Sequence, residues 1–378
     1  MLRTYKYRLY PTRKQIASMA MCLEAHRRLY NNALDERKTV YEQTGHGVNY
    51  CQQSGRLKGL RERDKDLAAC GFSSLQQTLR RVQKTYDSFF RRVKRHETPG
   101  FPRFKSKDRF NTMEYPFGDG ATIQEKRLRL AGIGCIKVKW HRPMAGTVKR
   151  VTVTARNGKY YAAFSVEQVV VPVPKKAGGC TVGIDLGVKT FAVVSDGSFI
   201  DNPKFLKASA SALLVAQQSL SRKKRGSNRR RKAKIKLARV HEKIANRRLD
   251  FAHKTANRLV ADYDGLVFED LDVKQMLVSK AHPGSRNIHK GINDAAWGLM
   301  LRLIESYKAE KAGCSVTKVD PRNTSQTCSS CGATVKKALS VRKHSCPSCG
   351  LILDRDLNAA RNILHRARTE PSDQLLDI

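Results

Sequence analysis

The sequence runs to 378 residues, 40% of them hydrophobic, which excludes a single small domain and supports real cores in about two to four units. Its 73 Lys plus Arg outnumber 33 Asp plus Glu, and a formal net charge of +40 calls for a polyanionic partner. No apolar run approaches the roughly 18 residues of a membrane span, and Met1-Leu2-Arg3-Thr4 opens no secretory leader, so a cytoplasmic protein off the membrane is expected.

Residues 2–10 alternate, with Tyr5, Tyr7 and Leu9 on one face and Lys6, Arg8 and Tyr10 on the other. That pattern predicts a half-exposed basic strand stopped by Pro11. From Thr12 the period lengthens: Ile16, Met19, Leu23, His26, Tyr30 and Ala33 predict a long helix ending near Gly45. After a polar loop, Ser73 or Ser74 is expected to cap a second helix striped with Leu75, Leu79, Val82, Tyr86, Phe89 and Val93. Arg80, Arg81, Arg91, Arg92 and Lys94 fall elsewhere on it, and the total charge favours a phosphate-binding face over a merely solvated one. Pro99-Gly100-Phe101-Pro102-Arg103-Phe104-Lys105 breaks this helix, with Arg103 and Lys105 expected among the nucleic-acid contacts. Short strands follow over 128–130, 136–140, 151–155 and 160–166, the last two joined by an Asn157-Gly158 hairpin. They predict a small barrel that strand 2–10 closes, with the helices of 12–95 as an insertion. Pro172-Val173-Pro174-Lys175-Lys176 reads as a linker.

Thr181-Val182-Gly183-Ile184-Asp185-Leu186-Gly187-Val188 reads as a buried strand that carries one carboxylate. A carboxylate between Ile184 and Leu186 is costly unless paired, hydrogen-bonded or bound to a cation. Gly187 leaves room for a close approach, and Asp196-Gly197 turns a hairpin. Ribonuclease-H-like nucleases begin this way, but an Asp-Leu-Gly strand also opens the sugar-kinase and Hsp70-like ATPases. Two helical arms follow, around Leu213 and around Ile244, joined by a basic run that includes Arg222, Lys223, Lys224, Arg225, Arg229, Arg230 and Arg231. Between amphipathic arms this run is expected to be an ordered hairpin presenting cations to a phosphate backbone. Gly265-Leu266-Val267-Phe268-Glu269 repeats the strand theme and ends in a carboxylate. A helix from near Asn293-Asp294, with Trp297, Leu301, Ile304 and Tyr307 inward, is expected to stop at Gly313 before a strand over 314–319.

Four of the ten cysteines form Cys328-x-x-Cys331 and Cys346-x-x-Cys349, while six are scattered singly. That pattern indicates a metal site plus buried thiols rather than a disulfide framework. Gly332 and Gly350 directly after each pair suit tight turns that aim backbone amides at sulfur. Four thiolates leave no open coordination position, so the expected zinc is structural; His344 nearby reads as a surface residue. Beyond the knuckle a helix begins at Asp354 or Asp356, one of which caps it. Asp356 stands one turn before Ala360 and would point with the buried stripe, toward Asp185 and Glu269. Three clustered carboxylates repel unless divalent cations neutralise them, and Mg²⁺ prefers such oxygen ligands while keeping waters for a phosphate substrate. Two such ions would activate a water and stabilise the leaving oxygen of a phosphodiester.

With those residues in place, the sequence resembles TnpB, the transposon-associated RNA-guided DNA endonucleases related to type V CRISPR effectors, over nearly its whole length. The resemblance rests on Tyr7-Arg8-Leu9-Tyr10-Pro11, Tyr30-Asn31, Gly100-Phe101-Pro102-Arg103-Phe104, Gly183-Ile184-Asp185-Leu186-Gly187 and Glu269-Asp270-Leu271. It continues through Asp294-Ala295-Ala296-Trp297, Ser325-Gln326-x-Cys328 and Asp354-Arg355-Asp356-x-Asn358-Ala359-Ala360. It implies a multi-domain α+β and α/β chain: a wedge β-barrel (1–11 and 96–175) with an inserted helical recognition domain (12–95). A RuvC-like, ribonuclease-H-like nuclease domain (176–321 and 353–370) would follow, interrupted by a zinc knuckle (322–352) and ending in a short tail (371–378). Asp185, Glu269 and Asp356 match the family's catalytic, Mg²⁺-binding carboxylates, and Cys328, Cys331, Cys346 and Cys349 its zinc ligands. Tyr50, Ser54 and Gln76 resemble residues that touch the short transposon-adjacent motif. The implied partners are a guide RNA from the transposon end and target double-stranded DNA, with a monomer carrying one RNA. The rivals are a guided repressor without cleavage, which the intact carboxylates oppose, and a transposase or its accessory protein. An ATPase would need a second Gly-rich phosphate strand, and none is found.

Overall fold

The alternation of residues 2–10 forms strand β1 (Leu2–Tyr10), with Tyr5, Tyr7 and Leu9 buried. The computed structural model describes residues 2–169, 173, 179–278, 285–338 and 341–369; the expected linker is described only at Val173, and the tail lies outside. The chain divides into two units, Met1–Val170 and Val171–Ile378.

In the first unit, helix α1 (Arg13–Thr44) starts at a reciprocal cap between Thr12 and Gln15 and stops where Gly45 takes φ 71°. The stretch expected as a polar loop folds instead into α2 (Tyr50–Gly55), α3 (Leu57–Arg63) and α4 (Lys65–Ala69). Asn49 and Asp64 supply side-chain caps there. Neither Ser73 nor Ser74 caps α5 (Phe72–Lys94): Gly71 is its N-cap, and both serines are buried. Strands β2 (Thr112–Pro116), β3 (Ala121–Gln124), β4 (Arg127–Leu130), β5 (Gly134–Lys139), β6 (Thr147–Arg156) and β7 (Lys159–Glu167) complete an antiparallel sheet. Its order is β2-β6-β7-β1-β5-β4-β3, so β1 runs through the middle instead of closing an edge. Among the described residues the two ends meet in a single bridge, Phe117 with Ala121, and closure is partial. Asn157 (φ 53°) and Gly158 (φ 72°) turn the hairpin between β6 and β7. Met19, Leu29, Leu75 and Leu79 from the helices share one core with Tyr7, Tyr115 and Phe164 from the sheet.

That core encloses His26, whose Nδ1 lies 2.6 Å from Thr78 Oγ1 and whose Nε2 lies 3.2 Å from Ser74 Oγ. Burial pulls its pKa down from 6.5 to about 4. The unfolded chain therefore takes up a proton in that window and the native state does not. Stability is full above pH 6.5 and falls as the pH drops toward 4, by about 3 kcal/mol at most. Denaturant melts of the wild type and of His26→Gln across this range should show the variant losing this part of the slope.

In the second unit, β8 (Thr181–Leu186), β9 (Thr190–Val194) and β10 (Phe199–Asp201) form an antiparallel meander. After α6 (Phe205–Ala208) and α7 (Ala210–Ser221), Ser227 caps α8 (Asn228–Asp262). Arg229, Arg230 and Arg231 thus sit in a helical first turn, and the connection shortens to 222–227. Then β11 (Gly265–Glu269) pairs parallel with β8. Helices α9 (Val273–Val278) and α10 (Ser285–Ala295) follow, so the inward helix begins earlier than Asn293. It breaks at Ala296, which takes φ 56°, and resumes as α11 (Trp297–Leu303), a π-helical turn (Ile304–Lys308) and α12 (Ala309–Ala312), capped by Gly313. Next, β12 (Ser315–Val319) pairs parallel with β11, and the sheet order is β10-β9-β8-β11-β12. A short hairpin, β13 (Lys343–Ser345) with β14 (Ile352–Asp354), precedes α13 (Arg355–Thr369). Ile184, Phe191, Phe268, Trp297 and Met300 form the main core here. Among the described residues no helix is long and apolar enough to cross a membrane.

Candidate functional site

Strand register brings the first two carboxylates together. β8 and β11 run parallel with Ile184 opposite Phe268, so Asp185 and Glu269 follow side by side on adjacent strands. α13 supplies the third. It packs on β8 at Gly183, where an added Cβ would collide with the Ala360 carbonyl oxygen and the Leu364 amide. Gly187 makes the expected room for a backbone, the Thr190 carbonyl of its own hairpin, and Gly183 adds a closer approach that was not expected. Asp354 Oδ1 accepts from the amides of Asp356 (2.8 Å) and Leu357 (3.2 Å), so Asp354 caps α13 and Asp356 is left to turn inward, buried.

Burial, and then the negative charges of Glu269 and Asp356, push the Asp185 carboxyl up to about 8, with Arg355 opposing. Burial also raises Glu269, against a hydrogen bond that Thr324 Oγ1 donates to its Oε1 at 2.6 Å. Asp356 lies 3.2 Å from Arg355 Nη2 and 3.5 Å from Arg342 Nη1. An all-oxygen donor set of converging carboxylates fits hard divalent cations better than any thiophilic metal.

Among the described residues, the group of His, Cys, Asp or Glu drawn to metal-ligating distance is Cys328, Cys331, Cys346 and Cys349; the acids converge without reaching it. The sulfurs of Cys328 and Cys349 are 3.7 Å apart, and those of Cys331 and Cys346 3.6 Å. Tetrahedral zinc with sulfur at ~2.3 Å sets sulfurs about 3.8 Å apart, so the shell fits this ion. Gly332 (φ 76°) and Gly350 (φ 75°) turn the chain after each pair, their amides donating to the carbonyls of Cys328 and Cys346. Past these turns the Ala333 amide is aimed at the Cys331 sulfur, and the amides of Cys349 and Ser348 are aimed at that of Cys346, drawing it down to about 6 against burial. His344, expected at the surface, is fully buried on β13, with Nδ1 against Lys337 Nζ. The pairing of β13 with β14 folds it inward.

Three residues to which the motif reading gave no role, Asn358 of the quoted motif among them, connect the knuckle to the acids. Asn358 accepts from the Ser329 amide at 2.9 Å and donates to the Thr327 carbonyl at 2.7 Å. Asn362 donates to the carbonyls of Thr324 (2.8 Å) and Thr327 (2.7 Å). Thr324 then holds Glu269. Buried amides one helical turn apart, Asn358 and Asn362, were the available signal, since a helix rarely buries two without partners.

Of the expected nucleic-acid contacts, Gln76 Nε2 donates to Ser54 Oγ at 3.3 Å, and Arg80 Nε to the Tyr50 hydroxyl at 3.1 Å, gathering these side chains across α2 and α5. Arg103 is exposed and Lys105 half-buried. Arg222, Lys224, Arg225, Arg229 and Arg231 are exposed, and Lys223 is half-buried. Arg230 departs from the expectation: its guanidinium donates to the carbonyls of Leu220 and Lys223, both at 2.9 Å, and closes the turn.

Family models match the chain in three places: a probable transposase over residues 163–280, a Cas12f1-like TNB domain over 297–363, and a helix-turn-helix domain over 1–46. The last description does not fit the residues it covers, which form β1 and the single helix α1. A "Putative RNA-guided DNA endonuclease" of Streptomyces pristinaespiralis is 34% identical, over 96% of this chain and 88% of its own. The "Putative RNA-guided DNA endonuclease InsQ" of Escherichia coli (strain K12) is 32% identical, over 96% and 92%. Among solved structures, the mini-RNA-guided endonuclease CRISPR-Cas_phi3 aligns over 97% of this chain and 92% of its own, at 11% identity and a TM-score of 0.53.

Proposed function

The chain belongs to the TnpB family of transposon-encoded, RNA-guided DNA endonucleases, and on that premise we propose that its five-stranded sheet is a RuvC-like nuclease with Asp185, Glu269 and Asp356 as catalytic residues. The observation that carries this is the convergence of three acids from β8, β11 and α13, with Asp185 raised by burial and then by the other two. Asp185, Glu269 and Asp356 would hold Mg²⁺, which supplies water activation and leaving-oxygen stabilisation for phosphodiester hydrolysis. Thr324 fixes the orientation of Glu269, and Asp354 keeps Asp356 free by taking the cap. Cys328, Cys331, Cys346 and Cys349 hold a structural zinc. The exposed cations at 222–231 grip a phosphate backbone, and Tyr50, Ser54 and Gln76 read the transposon-adjacent motif in the duplex, while base pairing with the guide supplies the remaining specificity. The protein works in the cytoplasm as a monomer with one guide RNA.

The test is to purify the protein from cells carrying its native flanking DNA and sequence the RNA that comes with it. One discrete species with a replaceable end, and Mg²⁺-dependent cutting of DNA matched to that end, is expected. Heterogeneous RNA without a preferred end, and no programmed cutting, would overturn the reading.

A prediction attaches to Thr324. Thr324→Val removes the donor to Glu269 while keeping the shape, and cleavage should fall about 10- to 100-fold, as at other residues that orient metal ligands. The Mg²⁺ concentration for half-maximal cleavage should rise, and Thr324→Ser should restore both. Equal kinetics for the valine variant would remove Thr324 from the site.

A further inference from the structure

The C-terminal end of α5 and the loop after it display aromatic rings to solvent. Phe90, Phe101 and Phe104 are 55%, 49% and 54% exposed. Phe89 packs edge-on against both Phe90 (5.2 Å) and Phe101 (5.5 Å), and Tyr86 stacks with Phe90 at 6.3 Å. The loop that carries Phe101 and Phe104 is held at both ends. Arg92 donates to the Gly100 carbonyl at 3.2 Å. At the other end Asn31 exchanges two hydrogen bonds with the Lys105 backbone, at 2.8 and 3.0 Å, and Arg27 adds a third at 3.2 Å. The rings are therefore half exposed on a fixed frame, an arrangement that leaves apolar surface in water and marks an interaction site.

Arg91, Lys94, Arg95 and Arg103 stand within a few positions of these rings along the chain and are exposed, against Asp87 and Glu97. A second copy of a chain with net charge +40 would bring these cations face to face, so self-association is disfavoured. The chemistry that satisfies flat apolar rings within a cationic rim is an unpaired base on a phosphate backbone. We propose that Phe90, Phe101 and Phe104 form a stacking platform for an unpaired stretch of the RNA this protein carries. RNA rather than DNA is assigned because a permanently exposed apolar patch is best covered by a resident partner. The inference rests on the RNA-guided reading above, from which its test is separable.

The test compares RNA-free wild-type protein with Phe101→Ala/Phe104→Ala and Arg103→Ala, using a short oligouridylate, the matching oligothymidylate and a duplex as probes at several salt concentrations. The aromatic variant should bind oligouridylate about tenfold or more weakly, with an unchanged salt slope and unchanged duplex binding. Arg103→Ala should instead lower the salt slope by about one for every probe. Both rings are half exposed, so the melting temperature should not move. Equal losses on duplex, a loss confined to oligothymidylate, or a wild-type dimer that the aromatic variant dissociates would each overturn the proposal. If the protein from its native context carries no discrete RNA, the guided reading itself fails; if it carries one and the aromatic variant binds normally, only the platform does.

Discussion

Alanine at Asp185 is expected to reduce target cleavage at least about a thousandfold while guide RNA and matched DNA stay bound. The argument is electrostatic. Asp185 sits beside Glu269 through strand register and faces Asp356 across the close approach at Gly183, and its carboxyl is held up at about 8 by burial and by those two charges. A cluster of this kind binds divalent cations because each acid needs the positive charge that the others cannot supply. Removing one acid forfeits several kcal/mol of transition-state stabilisation, and about 4 kcal/mol corresponds to a thousandfold in rate. The asparagine variant sharpens the test. It keeps the shape and removes the repulsion, so metal-free Asp185→Asn should melt no lower than the wild type while cutting nothing. An inactive protein that is no less stable is the signature of a functional site rather than a folding defect. Time courses of guided cleavage beside thermal melts decide it; persistent cutting by either variant would take Asp185 out of the site, and a lower melting temperature would make its role structural.

What could be read from the sequence was local. The change of period at Thr12, the stop at Gly45, the Asn157-Gly158 turn and the paired cysteines each involve residues within a few positions of one another. The choice between Asp354 and Asp356 needed the resemblance, and the hydrogen bond that Asp354 accepts from the Asp356 amide then makes Asp354 the cap. The features that escaped depend on segments far apart in the chain. Gly183 was legible as a glycine in a strand, but the helix backbone it admits comes from Ala360 and Leu364. Thr324 carries no local pattern, and its partner is Glu269 on another element. His344 looked exposed because its neighbours are polar, and the strand pairing that buries it is set by the turn around the cysteines. Arg230 looked like its basic neighbours, and only the geometry of the turn distinguishes it. The break at Ala296 is the hardest case, since alanine favours helix and tertiary packing overrides that preference.

Removing zinc should have the second large effect, and it should reach the acids. Among the described residues the regular structure of the knuckle is short: the three-residue strands β13 and β14 and a bridge between Thr327 and Thr334. The binding energy of a structural zinc in such a segment is folding energy. Cys328→Ser/Cys346→Ser should therefore lose stoichiometric zinc and lower the melting temperature. The loss should not stop there. Asn358 and Asn362 on α13 are satisfied by Thr324, Thr327 and Ser329 just before and within the first cysteine pair, and Thr324 in turn holds Glu269. Without the ordered knuckle two buried amides lose their partners, at about 1–3 kcal/mol each, and Glu269 loses its donor. Cleavage should vanish together with hydrogen-exchange protection at residues 324–331 and in the first two turns of α13. If chelation strips the zinc and α13 keeps its protection and the enzyme its rate, the metal stabilises only its own loop. If all three fall together, the thiolate shell is what keeps the third carboxylate's helix and the second carboxylate's hydrogen bond in place.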